Sequence, residues 1–208
     1  VKAFGFPADG VEGYEADDVI ATLTRQARAQ KLNVAIMTGD KDTFQLVSAR
    51  VSVFAPASRA QRGLQKITPV EVFKRLGVEP AQVAALKALA GDPSDNIPGV
   101  PGIGAKTAVS LLKKFASLEE LLAAVKAGDP RIPERLERVL SSHVKEAREA
   151  YSLVQLVDDI PIALDLERSE TAHALSRPAL HRMCAEFNFQ SLLKILPPPP
   201  QIRQKALF

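Results

Sequence analysis

The chain has 208 residues, of which 46% are hydrophobic and 25% are charged, and its formal net charge is +3. This composition is that of an ordinary globular protein with one or two domains, and the mildly basic balance is compatible with nucleic acid without indicating it. The single cysteine, Cys184, excludes an intrachain disulfide, suits a reducing cytoplasm and lies in an apolar stretch that predicts a core position. The three histidines lack zinc-ligand spacing, and no run is long and apolar enough to cross a membrane.

The first part of the chain, residues 1–66, has the pattern of an α/β fold. Apolar residues at helical spacing predict a helix over 16–30, and the run NVAIMT at 33–38 predicts a buried strand. A short helix at 43–47 and a second strand at 51–54 follow. This alternation with short links predicts a parallel sheet covered by helices.

The second part, residues 67–196, is predicted to be all-helical. After a loop at 59–63, the run Thr68-Pro-Val-Glu71 has the spacing of a capping box with proline at the first helical position. Residues 160–166 fit either a strand or a loop, and the proline-rich tail at 197–208 is predicted to be disordered. Helices are predicted at 69–76, 80–90, 105–115, 133–156 and 178–195, and a further short helix is predicted to begin after the N-cap Ser117.

Acidic residues occur in three clusters whose positions favour metal binding when they are taken together. One cluster opens the predicted helix 16–30, one directly follows the strand 33–38, and one lies in a glycine- and proline-rich loop at 91–104. Ligands of open α/β sheets bind at the carboxyl ends of strands, and two aspartates two residues apart in a turn are able to face one ion. The clustered acids are Glu15, Asp17 and Asp18, then Asp40 and Asp42, then Asp92 and Asp95.

Each cluster alone has an ordinary explanation, because acids complement the start of a helix and aspartates hydrogen-bond the backbone of turns. If the fold brings all these carboxylates together, their repulsion in a low dielectric requires counter-ions. Mg²⁺ or Mn²⁺ suits such oxygen-rich sites, and two ions about 4 Å apart clamp the attacking and leaving oxygens of a phosphodiester. The sequence shows the acids and leaves open whether they converge.

A glycine-rich turn, GVPGIGAKTA at 99–108, links two predicted helices. Glycines let the backbone approach a ligand closely, and the helix that follows offers free N–H groups to an anion. Lys106 falls in the first turn of that helix, where it opposes the helix dipole, a cost that a bound anion would offset. We interpret the turn as a sequence-independent phosphate clamp of the helix-hairpin-helix kind, with a tight interhelical turn as the alternative. The spacing of a Walker A loop is absent.

Three motifs, in this order, resemble those of the 5′→3′ exonuclease domain that is joined to bacterial DNA polymerase I. They are GYEADDVIAT at 13–22, TGDKD at 38–42 and GDPSDNIPGVPGIGAKT at 91–107. The resemblance covers nearly the whole chain up to residue 196. It implies a PIN-like α/β core without its first strand, followed by a helix-three-turn-helix DNA-binding region. It also implies a flap nuclease that removes 5′ flaps and RNA primers in replication and repair.

The resemblance assigns roles to residues by position. One metal site is implied to involve Glu15, Asp17 and Asp18, and a second to involve Asp40, Asp42, Asp92 and Asp95. Within these sets the residues closest to catalysis are Asp17, Asp40 and Asp42. The DNA-gripping turn is implied to comprise Gly99, Val100, Gly102, Ile103, Gly104, Lys106 and Thr107. The implied ligands are two Mg²⁺ or Mn²⁺ ions, K⁺ at the glycine turn, a 5′-flap, nicked or primer-bearing duplex, and a polymerase I partner.

The beginning of the chain departs from the family pattern. Residues 1–7 have neither a helix cap nor a strand pattern and resemble the end of a helix cut midway. The family's first strand with its metal-binding aspartate has no counterpart here, and neither does the basic helical arch that threads the 5′ end. We therefore expect weakened or absent cleavage by the chain alone.

Two alternatives to a nuclease stay open on the residues. A DNA-binding module without catalysis would use the helical part and a vestigial acidic cluster. A TOPRIM-type phosphotransfer core also pairs a glutamate with Asp-x-Asp at a strand end, but the helical region with its glycine turn argues against it.

Overall fold

The structure, a computed structural model, describes residues 7–57, 63–167 and 177–196. These residues belong to two compact units, a larger one at Val11–Ile162 and a smaller one formed by Val1–Gly10 and Ala163–Phe208. The predictions for the first six residues, for most of the loop at 59–63 and for the tail at 197–208 lie outside the described residues. The acidic clusters and the glycine turn all belong to the larger unit.

The larger unit begins with α1 (Ala16–Ala29) and a three-stranded sheet in the order β1-β2-β3. β1 (Val34–Met37) pairs in parallel with β2 (Val51–Pro56), as predicted, and a 3₁₀ turn at Asp42–Leu46 lies between them in the chain. β3 (Leu64–Ile67) runs antiparallel to β2. This third strand is absent from the sequence-based prediction because residues 64–67, LQKI, lack the apolar run that indicates β1 and β2.

The prediction that β1 is a buried strand is wrong for one of its faces. Ile36 is buried, whereas Ala35 is exposed and Met37 keeps 72% of its surface exposed. Successive side chains of a strand point to opposite faces of the sheet. Among the described residues, therefore, only one face of β1 is covered, and β1 lies at an edge of the three-stranded sheet.

The rest of the described chain is mostly helical, as predicted. Pro69 occupies a first-turn position of α2 (Pro69–Leu76), and the Ser117 hydroxyl caps α5 (Leu118–Ala127) by accepting a hydrogen bond from the Glu120 N–H at 3.1 Å. Cys184 is fully buried in α8 (Arg177–Glu186), a helix of the smaller unit, as expected of a core residue. The helices are α2 (Pro69–Leu76), α3 (Val83–Ala90, after a 3₁₀ turn at Pro80–Gln82), α4 (Ala105–Leu112), α5 (Leu118–Ala127), α6 (Glu134–Ser142), α7 (Val144–Val154), α8 (Arg177–Glu186) and α9 (Gln190–Ile195).

Two predicted long helices are each divided in the structure. The helix predicted at 133–156 breaks at His143, whose ring Nδ1 lies 2.8 Å from the Val139 carbonyl oxygen. The helix predicted at 178–195 is interrupted between α8 and α9, where Asn188 has a φ of 53°. The apolar pattern continues through both breaks, so periodicity gives no sign of them.

The start of α2 and the segment after α7 correct two further details. The Thr68 side chain makes no capping hydrogen bond, so the predicted capping box is wrong; Glu71 pairs instead with Lys74 at 2.9 Å. Residues 160–166 form neither helix nor strand, which resolves the ambiguity in favour of a loop. Within the described ranges, no helix combines the length and the hydropathy that a membrane span requires.

α3 lies in the core of the larger unit, packed against α4 and α7. Its apolar residues from Val83 to Leu89 are buried in a cluster that extends from Ile36 to Val154. The helix has the sequence VAALKALA, and Lys87 is its one charged residue. A charge that emerges from a core helix needs a partner, and Lys87 finds it among the acidic residues of the loops around α3.

Candidate metal centre

Three aspartates from two separate segments meet at one point. Asp42 opens the 3₁₀ turn after β1, and Asp92 and Asp95 lie in the loop between α3 and α4. One carboxylate oxygen of each lies within 4.8 Å of the other two. In the described part of the chain, no other group of three or more potential ligands is this close. The donor set, carboxylate oxygens alone, is the one that Mg²⁺ and Mn²⁺ prefer.

Backbone contacts fix the loop that carries Asp92 and Asp95. The N–H and the carbonyl of Asp92 exchange hydrogen bonds with Ile97, each at 2.9 Å. Gly91 has a φ of 82°, and a side chain there would meet the Ile97 carbonyl oxygen at 2.9 Å. Asp92 Oδ1 also accepts the Ser94 N–H at 3.0 Å. Hydrogen bonds within the loop and the close approach of Gly91 to Ile97 therefore fix its conformation.

The ammonium group of Lys87 lies among the three carboxylates. Its Nζ is 2.6 Å from Asp92 Oδ2 and 3.4 Å from Asp95 Oδ2, and it donates a hydrogen bond to Asp42 Oδ1. The Lys87 side chain is only 14% exposed. Sequence reasoning missed this residue, although a lone charge in an otherwise apolar helix is a signal that could have found it.

The balance of charges at Asp92 favours its ionised form. Burial raises the pKa of this carboxyl, but hydrogen bonds from Lys87 and Ser94 outweigh burial and lower the pKa from 3.8 to about 2. Because the pKa of Asp92 is lower in the folded protein than in the unfolded chain, its ionised carboxylate stabilises the fold at pH values above 3.8. This contribution is lost as the pH falls from 3.8 towards 2. At neutral pH the carboxylate is in the form that binds a cation.

Asp17, in the first turn of α1, belongs to a second acidic group next to the first. Burial raises the pKa of Asp17, and the negative charges of Asp40, Glu15 and Asp18 raise it further, while Lys87 acts in the opposite direction. Asp40 is thus coupled to the acidic start of α1 and is not a member of the three-aspartate group. Lys87 acts on both groups.

Two of the predicted ligands have backbone partners. Asp18 Oδ2 accepts the Glu15 N–H at 3.2 Å, and its Oδ1 accepts the Val157 N–H at 2.9 Å. Asp18 therefore ties the start of α1 to the segment after α7, a structural role that needs no metal. Asp40 Oδ1 accepts the Asp42 N–H at 2.9 Å, which shapes the turn after β1.

The glycine turn is joined directly to the acidic loop. Gly99 has a φ of 69°, and its Cα approaches Gly91 so closely that an added Cβ would lie 2.3 Å from the Gly91 nitrogen. The Val100 N–H donates to the Leu89 carbonyl at 2.9 Å, at the end of α3. The side chains of Val100 and Ile103 are each 3% exposed, so these two residues anchor the turn.

The outer part of the turn faces solvent. Gly102 and Gly104 are exposed, and nothing lies within 4 Å of a Cβ built at either position. Gly104 is the N-cap of α4, Lys106 is exposed in the first turn of that helix, and Thr107 is half-buried. The predicted residues thus divide into buried anchors and an exposed backbone surface with one lysine.

A basic concavity of about 670 Å³ is lined by different residues from those of the acidic groups. Its lining includes Arg25, Arg28 and Arg50. The Arg25 guanidinium donates to the Asp158 carbonyl at 2.6 Å, and Arg50 donates to the Lys31 carbonyl at 2.9 Å. Arg25 thus connects α1 to the segment after α7, and Arg50 connects the start of β2 to the residues after α1, so we assign these two arginines a structural role.

Two family models together match residues 1–176. One, for the 5′-3′ exonuclease N-terminal resolvase-like domain, covers residues 1–77, and the other, for the 5′-3′ exonuclease C-terminal SAM fold, covers residues 78–176. The chain belongs to the 5′-3′ exonuclease family. In this family member, Asp42 comes from the first matched region and Asp92 and Asp95 from the second, so the three-aspartate group spans both.

Curated relatives of this 5′-3′ exonuclease family member include bacterial polymerases. DNA polymerase I of Chloroflexus aurantiacus is 41% identical over 202 residues, which is 95% of this chain and 21% of the polymerase. Thermostable DNA polymerase I of Thermus thermophilus is 39% identical over 193 residues, 93% of this chain and 22% of the polymerase. The chain thus spans about a fifth of the length of these relatives.

Solved structures of bacteriophage T5 nucleases share the fold of this exonuclease-family chain. T5 5′-exonuclease with bound zinc aligns with a TM-score of 0.62 at 22% identity, over 88% of this chain and 62% of the phage protein. A T5 flap endonuclease in a complex with DNA and metal ions aligns with a TM-score of 0.60 at 21% identity, over the same shares of the two chains.

We expect Asp17→Asn to raise the melting temperature of the metal-free protein at neutral pH. Because the pKa of Asp17 is raised, the folded protein binds a proton at this carboxyl more tightly than the unfolded chain does. Ionisation of Asp17 at pH values above 3.8 therefore destabilises the fold. The difference from the parent chain should shrink as the pH falls and Asp17 becomes protonated. Thermal unfolding in EDTA across a pH series checks this, with Glu134→Gln, at a side chain 81% exposed, as the control. A less stable Asp17→Asn protein at neutral pH would contradict it.

Proposed function

We propose that this chain hydrolyses phosphodiester bonds at DNA 5′ ends and 5′ flaps, as a metal-dependent 5′→3′ exonuclease and flap endonuclease of replication and repair. The observation that carries the proposal is the meeting of Asp42, Asp92 and Asp95 at one point in a chain of the 5′-3′ exonuclease family. A DNA polymerase I partner and a cytoplasmic location belong to the same proposal, on the basis of the relatives and the single cysteine.

We propose Mg²⁺ or Mn²⁺ as the ions, one of them held by the carboxylates of Asp42, Asp92 and Asp95. When bound, such ions supply positive charge that activates water and stabilises the phosphate. The second ion would lie at the acidic start of α1, where Asp17 and Glu15 repel each other and Asp40. A cation there would relieve this repulsion and keep the Asp17 carboxylate ionised.

The exposed part of the glycine turn is the proposed DNA grip. Free backbone N–H groups at the start of α4, with Lys106 beside them, offer donors and a positive charge to a phosphate. Gly102 and Gly104 leave the backbone open to close approach, and its carbonyl oxygens are the proposed ligands of K⁺. These contacts recognise the phosphate backbone and give no information about the base sequence. Binding should therefore depend on DNA shape and not on sequence.

Lys106→Ala should weaken the binding of duplexes of any sequence to a similar degree. Loss of one phosphate contact is expected to reduce the slope of log K against log salt by about 1. Fluorescence anisotropy with labelled flap duplexes at several salt concentrations measures both quantities. Lys145→Ala, which removes an exposed lysine that pairs with Glu149, is the matched control. A loss confined to certain sequences would speak against a backbone clamp.

Cleavage of a labelled 5′-flap duplex by the full chain tests the proposed function. We expect slow but measurable product formation with Mg²⁺ or Mn²⁺, none in EDTA, and none from closed circular duplex, which has no 5′ end. The second candidate is a DNA-binding module without catalysis, which the position of the Lys87 ammonium among the three aspartates favours. Flap binding without product in either metal would support that module and overturn the nuclease.

A further inference from the structure

Lys87 occupies the space in which an ion bound by the three aspartates would lie. The three carboxylate oxygens are within 4.8 Å of one another, and the Lys87 Nζ contacts all three residues. A magnesium ion would need oxygen distances of about 2.1 Å and therefore the same central position. The ammonium and the divalent ion also repel each other, so the two cannot be in this position together.

The surroundings of Lys87 explain why it reaches this point. Its neighbours in α3, Leu86 and Ala88, are buried, which fixes the helix against the core. Two of the three acidic side chains around the ammonium are largely shielded, with Asp42 at 19% and Asp92 at 14% exposure, whereas Asp95 is 50% exposed. Carboxylates this close to one another repel unless a cation lies between them. The Lys87 ammonium is a cation in this position.

We propose that Lys87 is an internal counter-cation of the acidic centre and that a divalent ion binds there by displacing it. The proposal rests on the proposed function, since it takes the three aspartates as metal ligands. Lys87 is a positioning residue in this scheme: it keeps the acidic loop attached to the end of α3 and to the turn after β1 until a metal arrives. Its flexible four-carbon side chain lets the ammonium withdraw without movement of the helix.

The exchange has a consequence for stability and for metal affinity. Without Lys87, the three carboxylates of the metal-free protein repel one another, so folding should depend on added metal. Metal binding should at the same time become tighter, because no ammonium has to be displaced. A lysine with a merely structural role would stay in place when metal binds.

Amine acylation of the full chain, read by peptide mass spectrometry, measures the position of Lys87 directly. In EDTA, the Lys87 amine should react at least about tenfold more slowly than that of Lys74, because the Lys87 side chain is 14% exposed against 65% for Lys74 and its ammonium contacts three carboxylates rather than one. Addition of Mn²⁺ should raise the rate at Lys87 severalfold and leave Lys74 unchanged. Protection of Lys87 at saturating Mn²⁺ would overturn the exchange.

The variant Lys87→Met, which keeps an unbranched side chain of similar shape and removes its charge, provides the second measurement. Its melting temperature in EDTA should be lower than that of the parent chain and should be restored by Mn²⁺. Its affinity for Mn²⁺, measured by the loss of the free-ion electron paramagnetic resonance signal, should be about tenfold tighter or more. Lys74→Met is the control and should match the parent chain in both measurements.

The outcomes separate this inference from the proposed function. If the parent chain binds Mn²⁺ while Lys87 stays protected and Lys87→Met binds no tighter, the exchange is wrong and the metal centre stands. If neither protein binds Mn²⁺, the metal centre itself is wrong, and both the inference and the proposed nuclease fall with it.

Discussion

Gly99→Ala should lower the melting temperature of the chain by more than any other single glycine-to-alanine change in the turn. Gly99 has a φ of 69°, a left-handed conformation that costs a residue with a Cβ about 1–2 kcal/mol. The added Cβ would also lie 2.3 Å from the Gly91 nitrogen and 2.7 Å from the Ala90 carbonyl carbon. These are backbone atoms, which cannot rotate away as a side chain would. The expected loss of stability is about 3 kcal/mol or more, the range of severe single mutations.

Two neighbouring glycines separate the causes of this loss. Gly102 also has a positive φ, 79°, but nothing lies within 4 Å of an added Cβ, so Gly102→Ala should cost only the conformational part. Gly104 has a φ of −90° and open space, so Gly104→Ala should cost only the preference of the N-cap for glycine over alanine, about 1 kcal/mol or less. Urea unfolding followed by circular dichroism measures all three. Equal losses at Gly99 and Gly102 would show that the contact with Gly91 is not what requires glycine.

Asp92→Asn should abolish metal-dependent cleavage, with a loss of at least about 100-fold, since even partners outside the ligand set cost 10–100-fold in metal sites. The amide keeps the size of the side chain and an oxygen that accepts the Ser94 N–H at 3.0 Å. It removes the negative charge that Lys87 contacts at 2.6 Å and that a metal would need. Ionised Asp92 also stabilises the fold at neutral pH, so the variant should be somewhat less stable, but its main defect should lie in metal binding. Mn²⁺ titration and flap cleavage under the same conditions measure it.

The acid stability of Asp92→Asn provides an independent check. In the parent chain, the depressed pKa of Asp92 contributes stability that is lost as the pH falls from 3.8 towards 2, and the amide has no such titration. The variant should therefore lose less stability over this interval. Glu134→Gln makes the same chemical change at an exposed position and should behave as the parent chain in cleavage, metal binding and acid unfolding. Full cleavage by Asp92→Asn would remove the three-aspartate group from the proposed mechanism.

Local patterns predicted the elements that carry the site. The periodicity of residues 16–30 matches α1, and the apolar runs at 33–38 and 51–54 match the parallel pair β1 and β2. The acidic loop after α3 follows from its glycines and its proline. These features depend on residues a few positions apart, so the sequence contains their signal directly. The helix breaks at His143 and Asn188 were not predicted, because an apolar face continues across both of them.

By itself, the sequence determined the family, the acidic motifs and the turn that follows them, because motif spacing and helix or strand period are local properties. Only the tertiary structure decided which acids share a centre. Asp42 meets Asp92 and Asp95 and not Asp40, its neighbour in the same turn. Lys87 reaches Asp42 across 45 positions of the chain. Such pairings are set by how α3 packs in the core, since burial of its apolar residues fixes where its one charge emerges.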